Sequence, residues 1–281
     1  VSHSVHLPGF FATQAPDELV QLEKDLAIFV EAKQIYDQAR FIDETGMERV
    51  RVDFADGRAK LVAQDKLQNK GSRYFFTDTM KLDQGEIFVS PFDLNIEGGQ
   101  IETPYKPMIR LATPLFDPSG QRRGITILNY YGNDIFSRLN TAQDNNVAFI
   151  ELLNRDGFWL KSKQPGREWG FMLGKKATFA TEHPDIWQRM QSEPDGQVMS
   201  DSVLWTWSRI HPLQNGLRSA VGSHLPAAPS AAAMSAADYH WIAVSQVQSG
   251  IDAPSQLAMA SRYALLWSVA LLLAWIVSWA I

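Results

Sequence analysis

Apolar and polar positions organise most clearly between Gly85 and Arg110, in the run GEIFVSPFDLNIEGGQIETPYKPMIR. Ile87 and Val89, set against Glu86, Phe88 and Ser90, predict a strand. Pro91 ends it, because proline has no N–H to add to a ladder. A polar loop with Asp93, Asn95, Glu97, Gly98, Gly99 and Glu102 follows, and Pro104 and Pro107 stiffen the return into a strand at 108–116. This loop is too long for a hairpin turn, and long loops on a rigid sheet are where binding functions concentrate. The stretch is therefore expected to frame a pocket.

From the start of the chain, the pattern predicts a helix opening at Pro16-Asp17-Glu18, where proline and acids suit the N-terminal dipole. Leu19, Leu22, Leu26, Phe29, Val30, Ile35, Tyr36 and Ala39 continue at helical spacing. That makes a helix of about 24 residues, roughly 36 Å long, suited to a stalk, a dimer face or packing on a sheet. Residues 40–46 lead out of it. A hairpin follows, with strands at 50–54 and 58–63 around Asp56-Gly57. Residues 64–81 are polar, with helical character around Tyr74, Phe75, Phe76 and Met80, and a strand at 124–131 precedes a short helix capped by Asn133-Asp134.

The plan then repeats. Strands at 147–153 and 158–163 flank Asp156-Gly157, and further strands are expected at 197–203, 204–211 and 239–247. Each module reads as hairpin, helical crossover and three-stranded meander, with the two Asp-Gly turns as matching landmarks. Residues 225–238, LPAAPSAAAMSAAD, form a low-complexity loop expected to lie outside the functional site. The uncharged run YALLWSVALLLAWIVSWAI at 263–281 is long enough, at about 28 Å, to cross a bilayer, with Tyr263, Trp267, Trp275 and Trp279 as interfacial anchors. It is read as a transmembrane helix, with a trimmed start before Val1 and a cytoplasmic portion beyond Ile281.

Composition changes this picture little. The 281 residues are 45% hydrophobic and 20% charged, ordinary for a globular chain. A net charge of -5 with scattered basic residues gives nucleic-acid binding no electrostatic support. Cysteine is absent, which fits an oxidising compartment that needs no disulfide.

No GxSxG, P-loop or HExxH motif is present, so no catalytic role is expected, and a membrane-anchored enzyme lacks its nucleophile–base pair. Asp53 and Asp56 flank a turn, Glu97 and Glu102 lack calcium-loop spacing, and His3 with His6 lack further ligands, so no metal or cofactor is expected. The better constellation is a binding one: Lys70, Arg73 and Tyr74 at a crossover helix, Ser90 and Asp93 where the middle strand ends, Arg110 on the next strand, and Asn129 inside an apolar strand. A buried Asn needs partners, and the fork of arginine suits a carboxylate. The alternative is a structural ion pair of Arg110 with Asp93 or Glu102.

The runs RFIDETGMERVR at 40–51, KGSRYF at 70–75 and SPFDLN at 90–95, with Glu97, Ile101-Glu102, Pro104, Pro107, Ile109-Arg110, Gly124 and Leu128-Asn129-Tyr130, resemble the double Cache sensor domain. These are tandem PAS-like extracytoplasmic modules of bacterial histidine kinases, diguanylate cyclases and chemoreceptors. The resemblance covers roughly residues 16–262 in plan; its specific motifs lie in the first module, and the second is recognised by layout. It implies an α+β fold: an N-terminal segment and long helix at 1–40, a membrane-distal module at 41–142, a membrane-proximal one at 143–250, and a connector with transmembrane helix at 251–281. Each module is a mainly antiparallel sheet flanked by helices.

The resemblance also implies a small ligand in the first module, at Arg73, Tyr74, Ser90, Asp93, Arg110 and Asn129. The amino-acid-binding subgroup carries Tyr-x-Asp on the middle strand and Asp on the last. Phe92-Asp93 and Asn129 stand there instead, which removes a partner for a ligand ammonium and favours an anion. The expectation is a homodimeric receptor in the cell membrane with residues 1–262 outside the cytoplasm. Its first-choice output is a histidine kinase; the alternatives are a diguanylate cyclase or chemoreceptor, or a protein-binding ectodomain without a small ligand.

Overall fold

The computed structural model describes residues 16–143, 148–164, 166–222, 230, 232–248, 266–269, 272–273 and 275. The chain divides into two units, one of residues 1–132 with 216–235 and the other of 133–215 with 236–281.

In the first unit, α1 (Pro16–Lys33) carries Leu22, Leu26 and Val30 at helical spacing and buries them against Ala39, Phe41, Val50 and Val52. The helix is shorter than its sequence suggests. Gln34 takes a left-handed φ of 56° and donates its N–H to the Val30 carbonyl at 2.9 Å, a terminating cap. Residues 36–43, read as the end of the helix and its exit, are instead strand β1 (Tyr36–Asp43). It lies at the centre of the sheet and is buried nearly throughout, so it shows no two-residue alternation to betray it.

The rest of this sheet comprises β2 (Glu48–Ala55), β3 (Arg58–Leu61), β4 (Phe88–Val89), β5 (Asp93–Leu94), β8 (Pro107–Phe116), β9 (Arg122–Tyr131), β14 (Arg218–Ala220) and β15 (Ala233–Ser235). The order is β15-β14-β4-β8-β9-β1-β2-β3, with β5 also paired to β8. The Asp56-Gly57 turn joins β2 to β3 as expected, both residues at positive φ. Between β5 and β8 the long loop folds into a small ribbon, β6 (Ile96–Glu97) and β7 (Gln100–Ile101), turning at Gly98-Gly99. Helix α2 (Tyr74–Thr79) packs Tyr74, Phe75 and Phe76 on Phe88, Ala112, Ile125 and Ile127. Residues 233–235 of the low-complexity segment are strand β15; 223–229 and 231 lie outside the described residues.

Side chains alternate between sheet faces, and register decides what each face carries. Gln38, Asn129 and Arg110 stand side by side across β1, β9 and β8. Arg40, two residues from Gln38, shares their face, away from the apolar residues that meet α1. One face of the sheet is thus apolar against α1, and the other is polar at Gln38, Arg40, Arg110 and Asn129 and apolar at Ile42, Ala112 and Ile127, where α2 packs.

The second unit contains α3 (Asn133–Gln143), β10 (Ile150–Asn154), β11 (Trp159–Lys161), α4 (Phe179–Glu182), α5 (Pro184–Ser192), β12 (Asp195–Ser200), β13 (Val203–Ile210) and β16 (Trp241–Gln248). Its sheet order, β11-β10-β16-β13-β12, repeats β2-β1-β9-β8-β4 of the first. The repeat is real, but the two Asp-Gly turns are not its landmarks: Asp156-Gly157 ends the β10–β11 connection, whose counterpart is the β1–β2 turn at 43–47. Asp43 Oδ1 accepts from the N–H of Thr45 at 2.9 Å and Met47 at 3.0 Å, and Asn154 Oδ1 from those of Asp156 at 3.0 Å and Phe158 at 2.9 Å. Gly46 and Gly157 close the turns at φ 83° and 81°.

A Cβ at Gly46 would also lie 2.2 Å from the Gly71 Cα. Gly46→Ala is therefore expected to cost about 2 kcal/mol or more, measured by urea unfolding. A variant as stable as the wild type would show that the turn readily adapts.

No helix among the described residues is long and apolar enough to cross a membrane. The proposed span at 263–281 lies mostly outside the described residues; those of it that are described are helical.

Candidate functional site

The polar face is closed over by α2 and the 90–106 loop, and together they bury a cluster of cations. Arg40, Lys70, Arg73 and Arg110 are 3%, 5%, 8% and 1% exposed. Burying charge is costly unless it is paired, so the partners matter.

Arg110 is fully engaged at its tips. Nη1 meets Asp93 Oδ1 at 2.5 Å and Nη2 donates to Asn95 Oδ1 at 3.1 Å. Tyr74 donates to the other Asp93 oxygen at 2.7 Å, so both carboxylate oxygens are occupied. The Ser90 hydroxyl accepts the Arg110 backbone N–H at 2.8 Å and donates to the Pro91 carbonyl at 2.8 Å. Burial works against the Arg110 charge, but Asp93 outweighs it and holds the guanidinium above its ordinary pKa. Burial, with Asp93 adding to it, pushes the Tyr74 hydroxyl up, so it stays a neutral donor.

Arg40 donates to Glu48 at 3.2 Å and to Asn129 Oδ1 at 2.8 Å, and Asn129 passes the chain on to Gln38 at 2.9 Å. Lys70 donates to Gln68 at 2.7 Å and lies 3.7 Å from Glu97, which also takes Arg51 at 3.3 Å and the Gln68 amide at 2.7 Å. Burial, together with Arg40, lowers the Lys70 pKa to about 8.

Arg73 is the exception. It donates once, to the Ile96 carbonyl at 3.2 Å, and no carboxylate among the described residues reaches ion-pair distance. Its Nε, like those of Arg40 and Arg110, is buried without a partner. Burial first, then repulsion from Arg110, lowers its pKa to about 10. The Phe75 ring holds the arginines together: Arg40, Arg73 and Arg110 lie 5.7, 5.2 and 5.4 Å from its centroid. Four buried cations thus face Glu48, Asp93 and the half-buried Glu97, with one positive charge left over at Arg73.

The model of the family described as the sensor domain of bacterial histidine kinases matches residues 1–220. The chain belongs to this family.

The fold of this sensor domain is shared with solved structures. An extracellular domain assigned to a histidine kinase, vpHK1S-Z8, is 23% identical with a TM-score of 0.70, over 88% of this chain and 80% of its own. A domain of a sensory box/GGDEF family protein from Vibrio parahaemolyticus has the same identity and TM-score, over 88% of this chain and 84% of its own. The ligand-binding domain of the Campylobacter jejuni chemoreceptor Tlp3, in complex with 4-methylisoleucine, is 8% identical with a TM-score of 0.50, over 86% of this chain and 77% of its own. A search of curated proteins found no match.

Five of the six residues named from the sequence fall into two hydrogen-bonded networks in this sensor domain, and Arg73 meets both only across the Phe75 ring. Tyr74, Ser90, Asp93 and Arg110 form one; Asn129 belongs to the other, through Arg40. Arg110–Asp93 is the structural pair that the sequence left open. Sequence reasoning missed Arg40 and Phe75, although a charge in the middle of an otherwise buried strand and an aromatic next to Arg73-Tyr74 were both visible.

The second unit does not repeat the cluster. Matched by turn and register, Arg40 corresponds to Glu151, Arg110 to Trp205, Ala112 to Trp207 and Asn129 to Gln246. Trp159, Trp205, Trp207 and Phe179 fill that face as apolar core. Gly196 makes room, since a Cβ there would lie 2.3 Å from Trp207.

Proposed function

We propose that this sensor domain binds a small anion in its first unit and reports it across a membrane to a histidine kinase output. The observation that carries the reading is Arg73, a buried cation with a carbonyl as its one hydrogen-bond partner. A ligand carboxylate or similar group would supply the charge that the fold leaves out. An α-amino acid fits less well, because both Asp93 oxygens are already taken. Tyr74, Ser90, Asp93, Arg110 and Asn129 would shape the site and hold Arg73 and its neighbours in place.

In this reading the chain is the extracytoplasmic part of a receptor in the cell membrane, with 263–281 as its crossing helix and α1 as a dimer face. The exposed Val20 and Ile28 on α1 support such a face. A cyclase output is the second reading, favoured by the likeness to the GGDEF-family domain.

A thermal-shift screen of small organic acids beside their α-amino counterparts tests this. Acids should raise the melting temperature and their amino counterparts should do so less; a screen in which no anion stabilises the protein refutes the proposal. The pH dependence gives a further check. Lys70, close to Arg40, Arg73, Glu48 and Glu97, loses its proton near pH 8 in the free protein. A bound anion raises that pKa, so the bound state holds the proton more tightly. Affinity should be flat below pH 8 and fall above it, by up to about tenfold per pH unit. Calorimetric titration over roughly pH 6.5–9.5, a span that brackets the Lys70 transition but stays below the ordinary lysine pKa, would show the fall; a flat profile would remove Lys70 from the site.

A further inference from the structure

The buried cations of the first unit do not offer equal openings to a ligand. Arg110 is held by Asp93 and Asn95, and Arg40 by Glu48 and Asn129. Both Glu48 oxygens are in use, the second accepting the Gln68 backbone N–H at 3.0 Å. Arg51, at the margin, is forked onto Asp53 at 2.8 and 3.1 Å. That leaves Arg73 and Lys70. They stand on one turn of chain, closed by the Arg73 N–H on the Lys70 carbonyl at 2.9 Å, and their charges repel.

Strand β6 of the loop serves both. The Ile96 carbonyl accepts from Arg73, and the next residue, Glu97, brings its carboxylate to 3.7 Å from Lys70. A carbonyl has no net charge, so Arg73 still lacks a counterion, whereas Lys70 has one. The opening is therefore worth one negative charge. From this we infer, on the basis of the anion site at Arg73, that its ligand is a monocarboxylate and that Glu97 is the residue that excludes a second carboxylate. The cation left for a second carboxylate is Lys70, and there it would meet the Glu97 carboxylate. A buried charge held without a partner is costly. Glu97 is fixed for this task by Gln68 at 2.7 Å and Arg51 at 3.3 Å. Glu102, on the same loop, pairs instead with Asn95 at 2.8 Å and Lys106 at 3.9 Å.

Calorimetric titration of the intact chain at about pH 7, where both carboxyls of a diacid are ionised, tests this with matched pairs: propionate and malonate, butyrate and succinate, valerate and glutarate. In the wild type, the monocarboxylate of the best-binding pair should bind about tenfold or more tighter than its dicarboxylate. In Glu97→Gln, which keeps the shape and frees Lys70, the dicarboxylate should gain about tenfold or more, so that the preference vanishes or reverses. Glu102→Gln removes the same charge from the same loop and should keep the wild-type preference. A wild-type protein that prefers the dicarboxylate, or a Glu97→Gln protein that keeps the wild-type preference, overturns the role of Glu97 and leaves the anion site standing. An equal shift in Glu102→Gln reduces Glu97 to its share of the net charge and overturns that role as well. Binding of no acid by any of these proteins overturns the anion site itself, and the role of Glu97 with it.

Discussion

An Arg73→Met protein is expected to melt no lower than the wild type without ligand, and to lose about a hundredfold in affinity for its anion. The two halves of this result have one cause. In the free protein the Arg73 guanidinium is buried with a single carbonyl acceptor and with Arg110 beside it. An unpaired buried charge is a net cost, and a Met of similar length fills the space while removing that cost; the guanidinium contact with the Phe75 ring is lost too, a smaller term. In the complex the same charge would meet the ligand. Charge-assisted hydrogen bonds contribute about 1.5–3 kcal/mol each, and tenfold in affinity is about 1.4 kcal/mol. Thermal melts with and without ligand, on one protein sample, read both halves. A variant that melts well below the wild type would make Arg73 a structural residue and remove the basis of the anion site.

The opposite substitution should behave in the opposite way. Asp93→Ala is expected to destabilise the ligand-free fold by about 3–5 kcal/mol. Asp93 neutralises Arg110 and accepts from Tyr74, so its loss leaves a wholly buried guanidinium and a buried hydroxyl without their acceptor. Equilibrium unfolding in urea measures the loss. A cost below about 1 kcal/mol, the level of an exposed pair, would mean that water reaches Arg110. Removing one cation and removing one anion from the same cluster should therefore move stability in different directions, and only an excess of positive charge produces that sign pattern.

Local signals in the sequence were legible where local physics decides the structure. The Asp56-Gly57 hairpin, the helix at Tyr74 and the strands around 108–116 and 124–131 follow from turn chemistry and periodicity. Part of the buried cluster was legible too, at Arg110 and Asn129, because an Asn or an Arg within an apolar strand has to be accounted for; Arg40 was hidden with the strand that carries it. Residues 36–39 failed because a strand covered on both faces has no alternation, and apolar residues that continue from a helix read as more helix. That error displaced the repeat by one strand, although the matched pattern of an Asx residue followed three positions later by glycine, at 43–46 and 154–157, was there to be read. The ribbon β14–β15 was invisible for another reason. Ala and Ser have little strand preference, and its parallel partner β4 lies far away in sequence.

That ribbon determines how the molecule can be divided. Strand β4 has β8 on one edge and β14 on the other, and the Ser219 hydroxyl donates to the Val89 carbonyl at 2.6 Å. The chain thus leaves the first unit at 132 and returns to complete it at 216. During synthesis, the sheet that carries the cation cluster stays unfinished until residues 133–215 of the second unit have been made. A recombinant fragment ending near 142 would lack its last two strands and bare the edge of β4, the kind of edge that pairs with other copies and aggregates. The first unit can be isolated only by carrying 216–235 back to it, for example through a short linker replacing 133–215.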